Sequence, residues 1–217
     1  MLTWFPSPYP DELFYSVLCR YYVSSGVKEH YLVKKQLFGT KAGVKMATLY
    51  PNATVHAALL QLPDGVFDER DMILRHTPFL YYARMYPQEE REVLLDDLVQ
   101  GRSRTPTHLW KTFPKDNYAL RYCPSCVQED TQIYGEPYYH VEHQIPLSSV
   151  CVRHKCRLKQ IAVDNPRLAL NNRFYPLGTV ETAREPDMDV TPAELQVSGL
   201  VREYWKLPAS VSPPACN

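Results

Sequence analysis

Apolar side chains recur every three or four positions along the first hundred residues, which indicates helices rather than strands. The clearest helical pattern follows Asp11 and Glu12, whose negative charge suits a first helical turn, and it stops at Ser24-Ser25-Gly26. Similar patterns predict four further helices over 29–38, 53–61, 68–76 and 87–98. The fold class predicted for this part is mainly α.

The first two of these helices are short and are joined by a tight turn, as in a helix-turn-helix. Five lysines lie between positions 28 and 45, against the single acid Glu29. Lys34, Lys35 and Lys41 are therefore candidates for contacts with DNA phosphates. The alternative is an ordinary solvated helix face, since exposed helices commonly carry lysines.

The chain begins with an extended segment that Pro6, Pro8 and Pro10 punctuate. Its rings Trp4, Phe5 and Tyr9 have few neighbours in sequence that could bury them, and aromatic side chains often anchor protein interfaces. They are candidates for docking a protein partner. The alternative is that they tie the N-terminus onto the helical core.

Two pairs of soft ligands carry the clearest chemical signal of the chain. Cys123-Pro124-Ser125-Cys126 is followed, after 24 intervening residues, by Cys151-Val152-Arg153-His154. Three thiolates and one imidazole suit Zn²⁺, and a two-residue gap lets both side chains of a pair turn toward one point. Since protein fills all four positions, the ion is predicted to hold structure rather than do chemistry. Unrelated residues or a redox CxxC are the alternatives.

The remaining cysteines, Cys19, Cys156 and Cys216, are interpreted as spare thiols. Cys156 lies two residues past His154, where it could compete for the metal only by displacing a neighbour. Free thiols beside a thiolate site suit a reducing compartment, and we find no signal peptide and no run of about 18 apolar residues. A soluble, cytoplasmic protein is expected.

Charge excludes a global attraction to nucleic acid or to a membrane, because 24 basic residues balance 24 acidic ones. Any DNA contact must be local. Arg153, Lys155, Arg157 and Lys159 alternate, so in a strand they would form one basic strip. Arg153, Lys155 and Arg157 are further candidates for DNA contact. The alternative is that these side chains form the solvent-exposed face of a half-buried strand.

These signals divide the chain into three predicted segments. A helical domain covers 1–117, a small α+β zinc-binding module resembling a zinc ribbon or finger covers 118–160, and a C-terminal extension with a short helix and a proline-rich tail covers 161–217. Within the module His140 and His143 could hold a second ion, although histidines among tyrosines are more often packing residues.

Several segments together resemble the TniQ family of Tn7-like transposons, and especially its TnsD-like branch. The stretch from Phe5 to Arg20 resembles the family opening P-x-P-x-x-D/N-E-L-x-Y-S-x-x-x-R. Further matches are 36–39, 121–126, 134–139, 143–146 and the CxxH pair followed by Leu158, in family order over about the first 160 residues. The chain departs from the family at Val152, where proline is frequent, at Lys155, where glycine is frequent, and at Tyr138 or Tyr139, where tryptophan is frequent. No metal ligand is lost.

The resemblance implies a non-catalytic adaptor that marks the insertion site and recruits the AAA+ ATPase TnsC. The implied partners are that ATPase and target DNA, or an RNA-guided CRISPR effector complex in CRISPR-associated transposons; a homodimer stays open. Such family members are typically much longer than this chain, which could therefore be a truncation.

Two alternatives stay open beside the adaptor. One is a stand-alone zinc-containing DNA-binding protein. The other is a metal-dependent nuclease or hydrolase using His140, Glu142 and His143, which is disfavoured because a catalytic ion needs an exchangeable water. The sequence also contains no Gly-rich phosphate loop and no G-x-S-x-G.

Overall fold

The computed structural model describes residues 2–39, 53–102, 119–163, 170 and 172–211. Helices form the first part of the chain: α1 (Phe14–Ser25), α2 (His30–Phe38), α3 (Thr54–Leu59), α4 (Glu69–His76), α5 (Phe79–Ala83) and α6 (Gln88–Val99). The mainly helical prediction is confirmed. No helix among these residues is long and apolar enough to cross a membrane.

Helix ends follow local chemistry. Gly26 adopts φ 67° after α1 and its N–H caps the carbonyl of Val23, while the Asp68 side chain accepts from the first N–H groups of α4. One prediction was wrong: Asp11 and Glu12 precede α1 rather than occupying its first turn. Tertiary contacts, described below, fix these acids instead.

A small module follows the helices. Strand β1 (Arg121–Tyr122) leads into α7 (Pro124–Tyr134) and α8 (Val141–Gln144), then into β2 (Val150–Cys151), β3 (Cys156–Arg157) and β4 (Lys159–Gln160). The strands make two antiparallel pairs, β1 with β4 and β2 with β3. Residues 152–155 form the turn of the β2–β3 hairpin. The α+β character predicted for this part is confirmed.

The last helix, α9 (Pro192–Lys206), packs back on the rest of the chain. Thr191 and Glu194 form a capping box at its start, and its Ser198 hydroxyl accepts from the backbone N–H groups of Ser149 and Val150. Beyond its end, the buried Arg84, which directly follows α5, donates to the carbonyls of Leu207, Pro208 and Val211. The C-terminal segment is thereby bound to both the hairpin and the helices.

One apolar core runs through all three predicted segments. It includes Leu13, Phe14 and Leu18 around α1, Tyr139 and Ile145 in the module, and Trp205 in α9. The predicted boundary between 117 and 118 lies outside the described residues.

A set of four side chains, which we call the junction cluster, joins α1 to the module: Tyr9, Glu12, Arg20 and Glu136. Arg20 donates from Nη1 to Glu12 at 3.0 Å and from Nε to Glu136 at 2.7 Å, and its guanidinium lies 3.7 Å from the centre of the Tyr9 ring. Tyr9 donates its hydroxyl to Glu136 at 3.1 Å and its backbone N–H to Glu12 at 2.9 Å.

Two backbone hydrogen bonds run beside the junction cluster. Leu13 N–H donates to the Tyr139 carbonyl at 2.7 Å, and Val141 N–H donates to the Asp11 carbonyl at 2.8 Å. The segment before α1 and the segment before α8 therefore lie against each other, which fixes how the module sits on the helices.

Candidate metal centre

The structure brings the two distant ligand pairs to one point. Cys123 caps the start of α7, Cys126 lies in its first turn, Cys151 ends β2, and His154 lies in the hairpin turn. Their ligand atoms all lie within 4.8 Å of one another. Among the described residues this is the only such group of three or more metal-ligating side chains.

Local structure explains how each pair turns inward. The Cys126 N–H points back to Cys123 Sγ at 3.5 Å, which is the N-cap geometry of α7. In the hairpin, Lys155 adopts φ 50° and donates its N–H to the Cys151 carbonyl at 2.7 Å. That closed turn holds His154 over Cys151.

The spacing of the four ligand atoms can be compared with a tetrahedron around zinc. With Zn–S near 2.3 Å and Zn–N near 2.05 Å, tetrahedral edges are about 3.8 Å between sulfurs and about 3.6 Å between sulfur and nitrogen. His154 Nδ1 lies 3.5 Å from Cys123 Sγ, 3.3 Å from Cys126 Sγ and 3.6 Å from Cys151 Sγ, and the Cys126 and Cys151 sulfurs are 3.8 Å apart. Four of the six edges of the set therefore match one tetrahedral ion, and the other two, from Cys123 Sγ to the Cys126 and Cys151 sulfurs, are no longer than 4.8 Å. Four protein ligands around one ion would leave no position for water.

Neighbouring polar groups orient this set. Glu129 Oε2 lies 3.1 Å from His154 Nε2, on the side of the ring opposite the thiols, and it also pairs with Arg153 at 3.0 Å. Arg153 in turn donates to Cys126 Sγ at 3.3 Å. A carboxylate behind a ligating histidine is the usual outer-shell partner of a metal site.

The electrostatics of the thiols also favour a cation. Cys123 and Cys151 are fully buried and Cys126 is 3% exposed. Hydrogen bonding with Cys126 lowers the pKa of Cys123, while the same contact raises the pKa of Cys126, because a charge on one thiol opposes a charge on the next. Three thiolates at this spacing require positive charge between them, which a divalent ion supplies.

A fifth sulfur borders the set and was interpreted from sequence as a spare thiol. Cys156 is fully buried, and its Sγ lies 3.3 Å from Cys123 Sγ. Its sequence signal is the five-residue spacing of Cys151 and Cys156, which a hairpin with a four-residue turn places opposite each other. Cys19 lies in α1 and is buried in the apolar core. Cys216 lies outside the described residues.

The histidines considered for a second ion have other partners. His140 Nε2 lies 2.9 Å from Asp130, and His143 Nε2 lies 3.9 Å from Cys126 Sγ. Glu142 pairs with Arg202 of α9 at 2.7 Å. These side chains therefore support the packing around the thiol set.

The basic strip differs from its predicted form because residues 152–155 are a turn rather than one straight strand. Acids also neutralise most of it. Arg157 pairs with Glu194 at 2.6 Å, Lys159 pairs with Asp187 at 3.4 Å, and Arg153 pairs with Glu129. Lys155 is exposed and has no ion pair among the described residues.

The lysine candidates for DNA contact differ in their exposure to solvent. Lys34 is 6% exposed and donates to Asn172 at 3.4 Å, and burial lowers its pKa. Lys35 is exposed on α2. Lys41 lies outside the described residues. On α2, the side chain best placed to reach a phosphate is Lys35.

The three aromatic candidates near the N-terminus also differ in their exposure to solvent. Phe5 is 7% exposed and packs on Tyr21 and Phe67, and Tyr9 belongs to the junction cluster. Trp4 is 52% exposed, although its ring stacks on Tyr21 with centroids 6.2 Å apart. A partner that docks on this segment would find mainly Trp4.

Comparison with known proteins places this geometry in context. The family model of TniQ matches residues 3–158, a range that contains the junction cluster and all four candidate ligands. The chain is also 28% identical over 181 residues to the transposon Tn7 transposition protein TnsD of Escherichia coli. That alignment covers 82% of this chain and 35% of the relative, so the chain spans about a third of the relative's length.

Proposed function

The chain belongs to the TniQ family, and from this premise we propose that it is a non-catalytic target-selection adaptor of a Tn7-like transposon. It marks the insertion site and recruits a TnsC-type AAA+ ATPase. The observation that carries the proposal is the family match, because it spans the metal centre, the junction cluster and the helices that they join. The similarity to a Tn7 transposition protein over most of this chain supports the same role.

The metal of this adaptor is one structural Zn²⁺ held by Cys123, Cys126, Cys151 and His154. The tetrahedral spacing and the carboxylate behind His154 support this choice. When bound, the ion cross-links the start of α7 to the β2–β3 hairpin. Closed four-ligand coordination leaves no site for an activated water, which supports an adaptor over a hydrolase.

Two surfaces are assigned to the two partners. Lys35 contacts DNA phosphates from α2, and the hairpin turn adds Lys155. Arg153 and Arg157 contribute less because acids already pair with them. Lys41, which lies outside the described residues, remains a further candidate. Trp4 contacts the ATPase, since its ring is the most accessible of the three N-terminal candidates. The net charge of zero over the whole chain makes such local contacts necessary.

Co-sedimentation with a TnsC-type ATPase, ATP and duplex DNA tests the adaptor role. The intact chain should bring the ATPase onto DNA, and Trp4→Ala should weaken this recruitment without lowering the melting temperature. Met85→Ala is the matched control, because Met85 is also an exposed apolar side chain, at 64%, and follows α5 rather than belonging to the N-terminal segment.

The same assay separates the alternatives. Duplex binding that never recruits ATPase would favour a stand-alone zinc-containing DNA-binding protein. ATPase recruitment without duplex binding by the chain itself would favour delivery by an RNA-guided CRISPR effector complex. Metal analysis that finds a second, exchangeable ion would reopen the hydrolase alternative.

A further inference from the structure

We propose that Cys156 is a fifth metal-competent side chain, which takes the fourth coordination position when His154 leaves it. The inference rests on the zinc site proposed above and concerns a residue outside that ligand set. The site would then exist in two closed forms, one with three thiolates and an imidazole and one with four thiolates. Both donor sets are common for structural zinc.

Strand pairing places Cys156 at the metal. Cys151 and Cys156 are directly opposite each other in the antiparallel pair β2–β3. Side chains at directly opposite positions project from the same face of the sheet, so Cys156 faces the side on which Cys151 contributes its thiol. Its Sγ lies 3.3 Å from Cys123 Sγ, about 0.5 Å closer than a tetrahedral sulfur–sulfur edge.

His154 is the ligand most easily exchanged. Its side chain is 22% exposed, whereas Cys123, Cys151 and Cys156 are fully buried. It lies in the hairpin turn, and Glu129, which orients it, is 38% exposed and shared with Arg153. Water can therefore reach the His154 ring, and Glu129 restrains that ring only in part. The Cys156 thiol that would replace it is fixed in strand β3.

Exchange would alter the turn while keeping the fold. In the four-thiolate form the β2–β3 pair stays closed, because both of its cysteines bind the ion. Residues 152–155 lose their link to the metal, so Arg153 and Lys155 gain freedom to reach a partner. Residues 152–155 would change their position relative to the rest of the module while zinc stays bound.

The test uses the full chain loaded with cobalt, whose thiolate charge-transfer band grows with the number of bound thiolates. The parent should show one cobalt and a three-thiolate spectrum. His154→Ala should keep one cobalt with a band about one third stronger, since a fourth thiolate joins three. The double variant His154→Ala/Cys156→Ser should bind cobalt at least roughly tenfold more weakly than His154→Ala. Cys19→Ser, a buried thiol change in α1, is the control and should leave the spectrum unchanged.

Glu129→Gln provides a second route that keeps every ligand. Weakening the hold on His154 should shift the spectrum toward four thiolates, and adding Cys156→Ser should abolish that shift. The proposal is overturned if His154→Ala binds cobalt no better than the double variant, or if Cys156→Ser alone removes the metal from the parent, which would make Cys156 a resident ligand. A parent chain that binds no stoichiometric cobalt would instead refute the metal site itself.

Discussion

Replacing Arg20 by methionine tests the junction cluster most directly. Glu12 is fully buried, and in the parent one of its oxygens accepts from Arg20 and from the Tyr9 N–H. Methionine keeps much of the apolar stem but removes the charge. Glu12 is then left as a buried carboxylate without its cation, while Glu136, which is 40% exposed, can turn to water.

Removing one partner of a buried ion pair costs about 3–5 kcal/mol, and we expect Arg20→Met to fall in this range at pH 8. Burial already raises the pKa of Glu12 to about 7 against the opposing effect of Arg20, so protonation relieves the buried charge at lower pH. The cost should therefore be smaller at pH 6. Arg20→Met/Glu12→Gln should recover more than half of it, because no charge remains to be buried.

Urea unfolding followed by circular dichroism, with zinc present throughout, measures these differences. Arg75→Met is the matched control: Arg75 pairs with Asp71 at 2.6 Å, but its side chain is 72% exposed. Loss of an exposed pair should cost about 0–1 kcal/mol. Equal costs for Arg20→Met and Arg75→Met, or no recovery in the double variant, would refute the reasoning.

Three further outcomes are expected. Cys123→Ser should lose the metal and the fold of 119–163, since structural zinc contributes roughly 10–16 kcal/mol in zinc-finger peptides; full metal content with an unchanged melting temperature would contradict the site. Because the pKa of Glu12 is raised from 4.5 to about 7, its contribution to stability is complete below pH 4.5 and is lost as pH rises toward 7; Glu12→Gln should flatten the pH dependence in that window. Arg84→Met should destabilise the chain by about 1–3 kcal/mol, because it removes the buried guanidinium that donates to three carbonyls beyond α9, and protease resistance of α9 reports it.

Local patterns in the sequence were sufficient for five of the first six helices and for the thiol set, but they did not indicate α5 or α7. Glycine stops such as Gly26 and Gly39 act within one turn, and the CxxC and CxxH spacings bring their own side chains together. These features depend on neighbours three or four residues apart, which periodicity describes.

Contacts between distant segments could not be predicted in the same way. Nothing near Lys34 in sequence indicates that it is buried beside Asn172, and nothing near Arg157 indicates that Glu194 of α9 neutralises it. Glu12 was interpreted as a helix-start charge, whereas it precedes α1 and pairs with Arg20 of that helix, which also binds Glu136 of the module. Long-range ion pairs are set by packing, which a single sequence does not display.

The backbone pairing of the segment before α1 with the segment before α8 has a consequence for recombining members of this family. Hydrogen bonds from Leu13 to Tyr139 and from Val141 to Asp11 do not depend on side-chain identity, so a foreign module could form them. The residue of the foreign module that stands at the position of Glu136 must still accept hydrogen bonds from Arg20 and Tyr9. A chimera that exchanges 119–163 alone would be mismatched, and the transferable cassette is that stretch together with the N-terminal segment through Arg20.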